Sequence, residues 1–87
     1  RLNSIFMRVT IVSPEKTLYK DKAQSVVVPG GMGAFEVLDN HAPIISNLTE
    51  GVVSLSGATP FQLHVKGGFI EVTHNEVSIC VEVNSNK

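Results

Sequence analysis

The stretch Pro29–Pro43 reads PGGMGAFEVLDNHAP, and it sets a glycine-rich turn, a short strand and an Asn-His-Ala-Pro corner in direct succession. Its glycines permit positive φ and close backbone approach, which suits a tight connection. A phosphate-binding loop would have to open a helix, but the strand Ala34–Leu38 runs into Asp39, Asn40 and a proline. We interpret the segment as a turn, strand and corner that build a recognition surface, and not as a nucleotide site.

Length and composition narrow the possible functions. A chain of 87 residues forms one domain, and its thin core argues against a deep catalytic cleft. The net charge of −1 gives no reason to expect nucleic acid as a partner. No apolar run reaches the roughly 20 residues of a membrane span, so no direct membrane insertion is expected. The single cysteine, Cys80, excludes an internal disulfide framework and fits a reducing compartment.

The hydrophobic pattern predicts β-strands almost throughout. Apolar residues alternate with polar ones from Val9 to Ile11, from Phe61 to Val65 and from Val77 to Val83, as in strands with one buried face. The continuous run Val26–Val28 predicts a strand that is covered on both faces or enters a sandwich core. Turn residues separate these runs at intervals of about 8–12 residues, which indicates an antiparallel sandwich or barrel. No segment has a helical period.

The polar side chains do not assemble a catalytic, metal or cofactor site. His41, His64 and His74 lack the spacing of metal ligands, and one cysteine cannot complete a thiolate site. Glu36 and Asp39 point in different directions, so joint acid–base work is not expected. No serine has a nucleophile-elbow context. Two interpretations of His41 stay open, because its ring could hydrogen-bond the corner backbone or face a partner.

Lys66 offers one alternative. It precedes Gly67 and Gly68 in His-Val-Lys-Gly-Gly-Phe, and we interpret this glycine pair as a tight hairpin. Small β-domains that carry lipoyl or biotinyl groups display the modified lysine at a hairpin tip. Their lysine stands in an Asp-Lys-Ala or Met-Lys-Met setting, however, so the alternative of a free-standing carrier or binding domain ranks second.

Three segments together resemble the N-terminal domain of the epsilon subunit of F-type ATP synthases, whose mitochondrial counterpart is called delta. They are Val9–Glu15, Gly33–Ile44 and Val65–Val72, and the match covers about residues 7–83. The resemblance implies an all-β, flattened antiparallel β-sandwich of about ten short strands. It also implies a non-catalytic rotor subunit that clamps the gamma shaft to the membrane c ring of a proton-translocating enzyme. Its place would be peripheral, on the cytoplasmic face of a bacterial inner membrane.

The resemblance also assigns contact residues. The gamma-facing positions of the family fall on Ser13, His41 and Ser46, and its c-ring-facing loop falls on Met32, Gly33, Ala34 and Phe35. Many relatives carry a carboxylate at the position of Ala34, so a ring contact in this chain should rest on apolar packing and backbone hydrogen bonds. The expected structural turns involve Pro43, Gly67 and Gly68.

The ends of the sequence complete the expected organisation. Residues 1–6 are expected to be an extension before a natural initiator at Met7, 7–83 the sandwich domain, and 84–87 a polar tail. Family members usually continue into two C-terminal helices that restrain hydrolysis and in some cases bind ATP. This sequence has no C-terminal helical hairpin, so no ATP site is expected within it. Asn84–Lys87 do not decide between a naturally short chain and a shortened one.

Overall fold

The computed structural model describes residues 6–83, whose backbone forms nine β-strands and no helix. The all-β class is confirmed, with nine strands where the resemblance implied about ten. The strand predicted at Ala34–Leu38 begins one residue earlier. In chain order, β1 to β9 are Met7–Val12, Thr17–Ala23, Ser25–Gly30, Gly33–Leu38, Ile44–Leu48, Gly51–Ser56, Phe61–Val65, Gly67–Thr73 and Glu76–Glu82.

The strands form one curled sheet that folds over into two layers. The pairing order is β2-β1-β9-β8-β5-β3-β6-β7, and β4 pairs with the other side of β3. Among the described residues, the half formed by β2, β1, β9, β8 and β5 is joined by strand pairing to the half formed by β3, β4, β6 and β7 only where Gly30 of β3 pairs with Leu48 of β5. The buried residues of both halves belong to one hydrophobic cluster, and the Cα atoms extend 16 Å in the thinnest direction. The result is the expected flattened sandwich.

One pairing departs from the antiparallel pattern. Strand β1 runs antiparallel to β2 but parallel to β9, with Val9 opposite Val77 and Ile11 opposite Ile79. The expected antiparallel sandwich is thus confirmed, with this one parallel pair among the described strands. Side-chain alternation has the same period in parallel and antiparallel strands, so it carries no information on strand direction.

The core confirms most of the predicted burial. Inward-phase residues of β1 and β9, such as Ile11 and Ile79, have almost no exposure, and the described residues bury no polar or charged side chain. Of the two alternatives predicted for Val26–Val28, entry into the sandwich core is confirmed, and cover on both faces is not found. Val26 and Val28 are fully buried, but Val27 is half-buried, because the outer face of β3 has no second layer upon it.

The glycine pair after Lys66 does not form a hairpin. Lys66 is a single-residue link between β7 and β8, which pair with different neighbours: β7 with β6, and β8 with β5 and β9. Gly68 has a φ of 148°, and a Cβ atom placed there would lie 2.1 Å from the carbonyl oxygen of Cys80. The glycine is required because β9 passes so close, which corrects the predicted hairpin tip at Lys66.

Candidate functional site

An open groove lies beside strand β5. This strand pairs with β8 along its whole length, but it meets β3 only at Leu48. Because β3 diverges from β5 beyond that point, the rest of the β5 edge opens onto a groove of about 660 Å³. Its walls are the β3–β4 hairpin, the corner that precedes β5, and Ile44–Asn47 of β5 itself.

The tip of the β3–β4 hairpin forms one wall. Gly30 pairs with Gly33, so Gly31 and Met32 make a two-residue loop of the kind that joins tight antiparallel strands. Gly33 has a φ of 124°, which disfavours any other residue there. Met32 is as exposed as in an extended peptide (102%). Phe35 is half-buried and packs against the core at the base of the wall.

His41 forms the corner of the groove. Its backbone N–H donates to the carbonyl of Leu38 over 3.1 Å, and its ring Nδ1 lies 2.7 Å from the carbonyl oxygen of Ala42. A carbonyl only accepts, so Nδ1 carries the proton and Nε2 is the ring nitrogen left to meet a partner. Of the two interpretations of His41, the hydrogen bond to the corner backbone is therefore confirmed. The same half-buried ring also lines the groove. Pro43 ends the corner just before β5.

The β5 wall is mainly apolar. Ile45 is 75% exposed and points outward, and Ser46 donates its hydroxyl to the carbonyl of Asn47 over 3.1 Å. Ile45 was not among the predicted contact residues. Its signal was the doublet Ile44-Ile45, which puts an apolar residue on both faces of a strand. Within the described residues, no group of three or more His, Cys, Asp and Glu side chains could hold a metal ion. His41 is the one titratable side chain that residues 6–83 contribute to the lining of the groove, which therefore offers no converging acid and base.

Two of the predicted contact residues lie outside the groove. Ser13 closes the β1–β2 turn, where its backbone N–H donates to the carbonyl of Lys16 over 2.8 Å. The register Asn47–Phe69–Cys80–Val12 puts three strand spacings, about 14 Å, between the groove and the strand that leads to Ser13. Ala34 is exposed on β4 but does not line the groove. The groove brings together the remaining five: Met32, Gly33, Phe35, His41 and Ser46.

The outer face next to the groove carries further apolar residues. On this face Phe69 of β8 is exposed and Cys80 of β9 is half-buried, while Leu38 is exposed on β4. Phe69 and Cys80 are opposite each other and line a shallow hollow beside Ser13. This surface runs from β5 to β1.

The other titratable residues lie apart from the groove. His64 is exposed, with its Nε2 3.7 Å from a carboxylate oxygen of Glu50, and His74 lies in the turn between β8 and β9. Tyr19 donates its hydroxyl to the carbonyl of Lys22 over 2.9 Å. Burial, and secondarily the charge of Asp21, raises the pKa of Tyr19 above 10.0. Among residues 6–83 there is no helix with the length and apolar character of a membrane span.

Comparison with protein families gives one match across nearly the whole chain. The family model described as "ATP synthase, Delta/Epsilon chain, beta-sandwich domain" matches residues 6–86. The ATP synthase epsilon chain of Leptospira borgpetersenii is 46% identical over 77 residues, which are 87% of this chain and 61% of the relative. That of Desulfitobacterium hafniense is 40% identical over 74 residues, 83% of this chain and 55% of the relative. The chain thus spans about 55–61% of the length of these curated relatives.

Solved structures show the same fold in other proteins. A chain in the cryo-EM structure of Euglena gracilis mitochondrial ATP synthase, OSCP/F1/c-ring in rotational state 1, superposes with a TM-score of 0.82 at 18% identity. The match covers 90% of this chain and 51% of that one. A chain of the Tetrahymena thermophila mitochondrial ATP synthase central stalk and c-ring gives a TM-score of 0.76 at 16% identity, over 87% of this chain and 63% of that one.

Proposed function

The chain belongs to the ATP synthase delta/epsilon chain β-sandwich family, and from this membership we propose that it acts in the central stalk of a proton-translocating F-type ATP synthase. In this role it clamps the gamma shaft to the c ring, turns with the rotor and couples rotation to ATP synthesis. The relatives are ATP synthase epsilon chains, and the solved neighbours come from F1/c-ring and central stalk/c-ring assemblies. The relatives are bacterial, which favours the cytoplasmic face of a bacterial inner membrane, reached through the complex.

The open groove is the observation that carries the proposal. A single concave surface unites five of the seven contact residues that the family resemblance assigns. The lining of the groove is mainly apolar. The open edge of β5 and Nε2 of His41 add hydrogen-bonding groups, and this combination is typical of a protein-docking surface. A small apolar groove without converging titratable groups fits a subunit that transmits torque and does no chemistry.

We assign the two partners to different parts of the groove and of the surface around it. The gamma subunit contacts His41 and Ser46 in the interior, together with Ser13 on the outer face. The c ring contacts the hairpin tip, where Met32 and Phe35 supply apolar area and Gly33 and Ala34 supply backbone. The neutral Ala34 leaves this contact to packing and backbone hydrogen bonds.

Titration of the purified gamma subunit tests the gamma assignment. Calorimetry should show saturable binding with one gamma subunit per chain. His41→Ala should weaken binding about tenfold, which is ~1.4 kcal/mol, while circular dichroism shows the same folded sandwich. The control is His64→Ala, because His64 is exposed on strand β7 outside the groove. The absence of binding by the folded chain would refute the proposal, and equal affinity of both variants would remove His41 from the interface.

A matched pair of variants, at Met32 and Leu38, tests the contact with the c ring. Met32 and Leu38 are both exposed apolar residues of the β3–β4 hairpin, but only Met32 lines the groove. Met32→Ser should reduce the amount of purified c ring retained by the gamma complex of this chain, and Leu38→Ser should not. Equal retention of c ring by the two variants would contradict the assignment of the hairpin tip.

The alternative carrier function has lost its structural basis. Lys66 is exposed, but it lies in a one-residue link and its backbone N–H is bonded to the carbonyl of Glu82 over 2.7 Å. Intact mass measurement of the chain purified from cells should show no added lipoyl or biotinyl group. A mass increase that maps to Lys66 would reinstate the carrier function.

A further inference from the structure

Two turns that are far apart in the sequence meet beside the groove. Asn40 follows strand β4 with a φ of 64°, and Asn75 lies between β8 and β9 with a φ of 62°. The side-chain Oδ1 of Asn75 accepts the backbone N–H of Asn40 over 2.8 Å. Its Nδ2 donates to Oδ1 of Asp39 over 2.8 Å. Both ends of one amide are therefore used to hold the start of the corner that carries His41.

The chemistry of the two contacts allows only one orientation of this amide. A backbone N–H needs an acceptor and an ionised carboxylate needs a donor, and the amide of Asn75 supplies one of each from its two terminal atoms. Turning the amide of Asn75 over would oppose two donors at Asn40 and two acceptors at Asp39. The bond to Asp39 is also charge-assisted, which makes it stronger than a neutral one.

Asn75 is itself anchored from the other side. Its backbone carbonyl accepts the N–H of Arg8, at the start of β1, over 2.9 Å. The remaining hydrogen bonds of the corner are local, since His41 bonds to Leu38 and Ala42. In residues 6–83, the side-chain amide of Asn75 therefore provides the hydrogen bonds that tie this corner to a distant turn.

We propose that Asn75 is a positioning residue, which holds the 39–43 corner so that His41 forms its wall of the groove. This inference rests on the proposed function for its effect on binding, but not for its effect on the corner. A corner that is ordered before the partner arrives needs no ordering on binding, so affinity is higher. If only a fraction of molecules keeps the corner in place, the apparent affinity falls to that fraction of the intrinsic affinity.

Swapping the side chains of Asp39 and Asn75, singly and together, tests the proposal. Asn75→Asp sets one carboxylate against that of Asp39 and should release the corner. Asp39→Asn keeps an acceptor for Nδ2 of Asn75 and should change little. The double variant Asp39→Asn with Asn75→Asp restores the pattern, because the new amide donates to the new carboxylate, which still accepts the N–H of Asn40. Asparagine and aspartate both tolerate positive φ, so the turn at position 75 should keep its shape.

The first readout is amide hydrogen exchange measured by NMR. Asn75→Asp should speed exchange at Asn40 and His41 about tenfold or more, with exchange at the core residue Ile79 changed much less. The double variant should return both corner amides to within about twofold of the wild-type rates. His74→Asp adds the same charge one residue away, and it should leave the corner amides unchanged.

The second readout is affinity for the purified gamma subunit. Asn75→Asp should weaken binding about five- to tenfold, and the double variant should recover it. Wild-type exchange rates in Asn75→Asp, or a double variant that exchanges no more slowly than Asn75→Asp, would overturn the proposal. So would faster corner exchange at unchanged gamma affinity. If the wild-type chain fails to bind gamma, the proposed function falls, and the exchange rates alone uphold or overturn the role of Asn75.

Discussion

Replacement of Gly68 by alanine should strongly destabilise the sandwich. A Cβ atom there would lie 2.1 Å from the carbonyl oxygen of Cys80 and 2.9 Å from Cα of Val81. Both neighbours are backbone atoms of β9, which is paired on its other side with β1. They cannot move aside as a flexible side chain could. The φ of 148° adds strain, because residues with a side chain rarely adopt it.

The magnitude follows from these two effects. A sparsely populated backbone conformation costs about 1–3 kcal/mol. The contact with Cys80 is more than 1 Å shorter than the 3.4 Å at which ordinary van der Waals contact begins, and overpacking of this kind adds typically ~1–3 kcal/mol. A total near 4 kcal/mol is a large part of the 5–15 kcal/mol that stabilises a typical domain. For a domain of this size it corresponds to a fall in melting temperature of roughly 16–32 °C.

Thermal and urea unfolding of Gly68→Ala and Gly31→Ala would measure the effect. Gly31 lies in the hairpin loop, and a Cβ atom there would meet nothing within 4 Å, so its replacement should change stability by less than about 0.5 kcal/mol. The reasoning would be refuted if the two variants unfolded at the same temperature. The close approach of β8 and β9 at Gly68 would then not limit the side chain.

Two further predictions concern pH and the core. The pKa of Tyr19 is raised above 10.0, first by burial and then by Asp21, so its stabilisation is complete below about pH 10 and is lost as pH rises through the folded-state pKa. Between pH 9 and about 11.5, the melting temperature of Tyr19→Phe should therefore fall less than that of the wild type. An equal fall in the two proteins would contradict this. Ile79→Ala should lower the free energy of unfolding by about 2–5 kcal/mol, whereas Ile45→Ala, at an exposed position of the same type, should lower it by less than about 0.5 kcal/mol. Similar urea midpoints for the two isoleucine variants would contradict the inward phase of β9.

Burial was predicted correctly where it follows from a local pattern of apolar and polar residues. The alternation in β1 and β9 identified Ile11 and Ile79 as inward residues, because a thin sandwich has a single core and each strand turns one face toward that core. For Val26–Val28 the apolar run left two arrangements open, since the apolar character of Val27 does not show whether a second layer covers it. Hydrophobicity predicts that a residue can be buried, and the arrangement of the layers decides whether it is.

The groove depends on contacts that no local pattern contains. Met32, His41 and Ser46 were singled out through the family resemblance, but their common position follows from the divergence of β3 and β5 beyond Leu48. The interpretation of Gly67 and Gly68 failed for a related reason. The glycines correctly indicated an unusual backbone, but they did not reveal that β9 passes against it. The link between Asn40 and Asn75 was also invisible, because both read as ordinary turn residues.

The parallel pairing of β1 with β9 has a consequence for folding during synthesis on the ribosome. Strand β9 lies between β1 and β8, so the β1–β2 hairpin has no edge to join until residues 76–82 have left the ribosome. In the emerging chain, the β1–β2 hairpin would stay separate from strands β3 to β8, and its apolar face would be uncovered. Closing a loop between residues this distant is slow compared with forming a hairpin. Closure of the sandwich therefore waits for β9, and until β9 is available the β1–β2 hairpin is a segment that chaperones would be expected to cover.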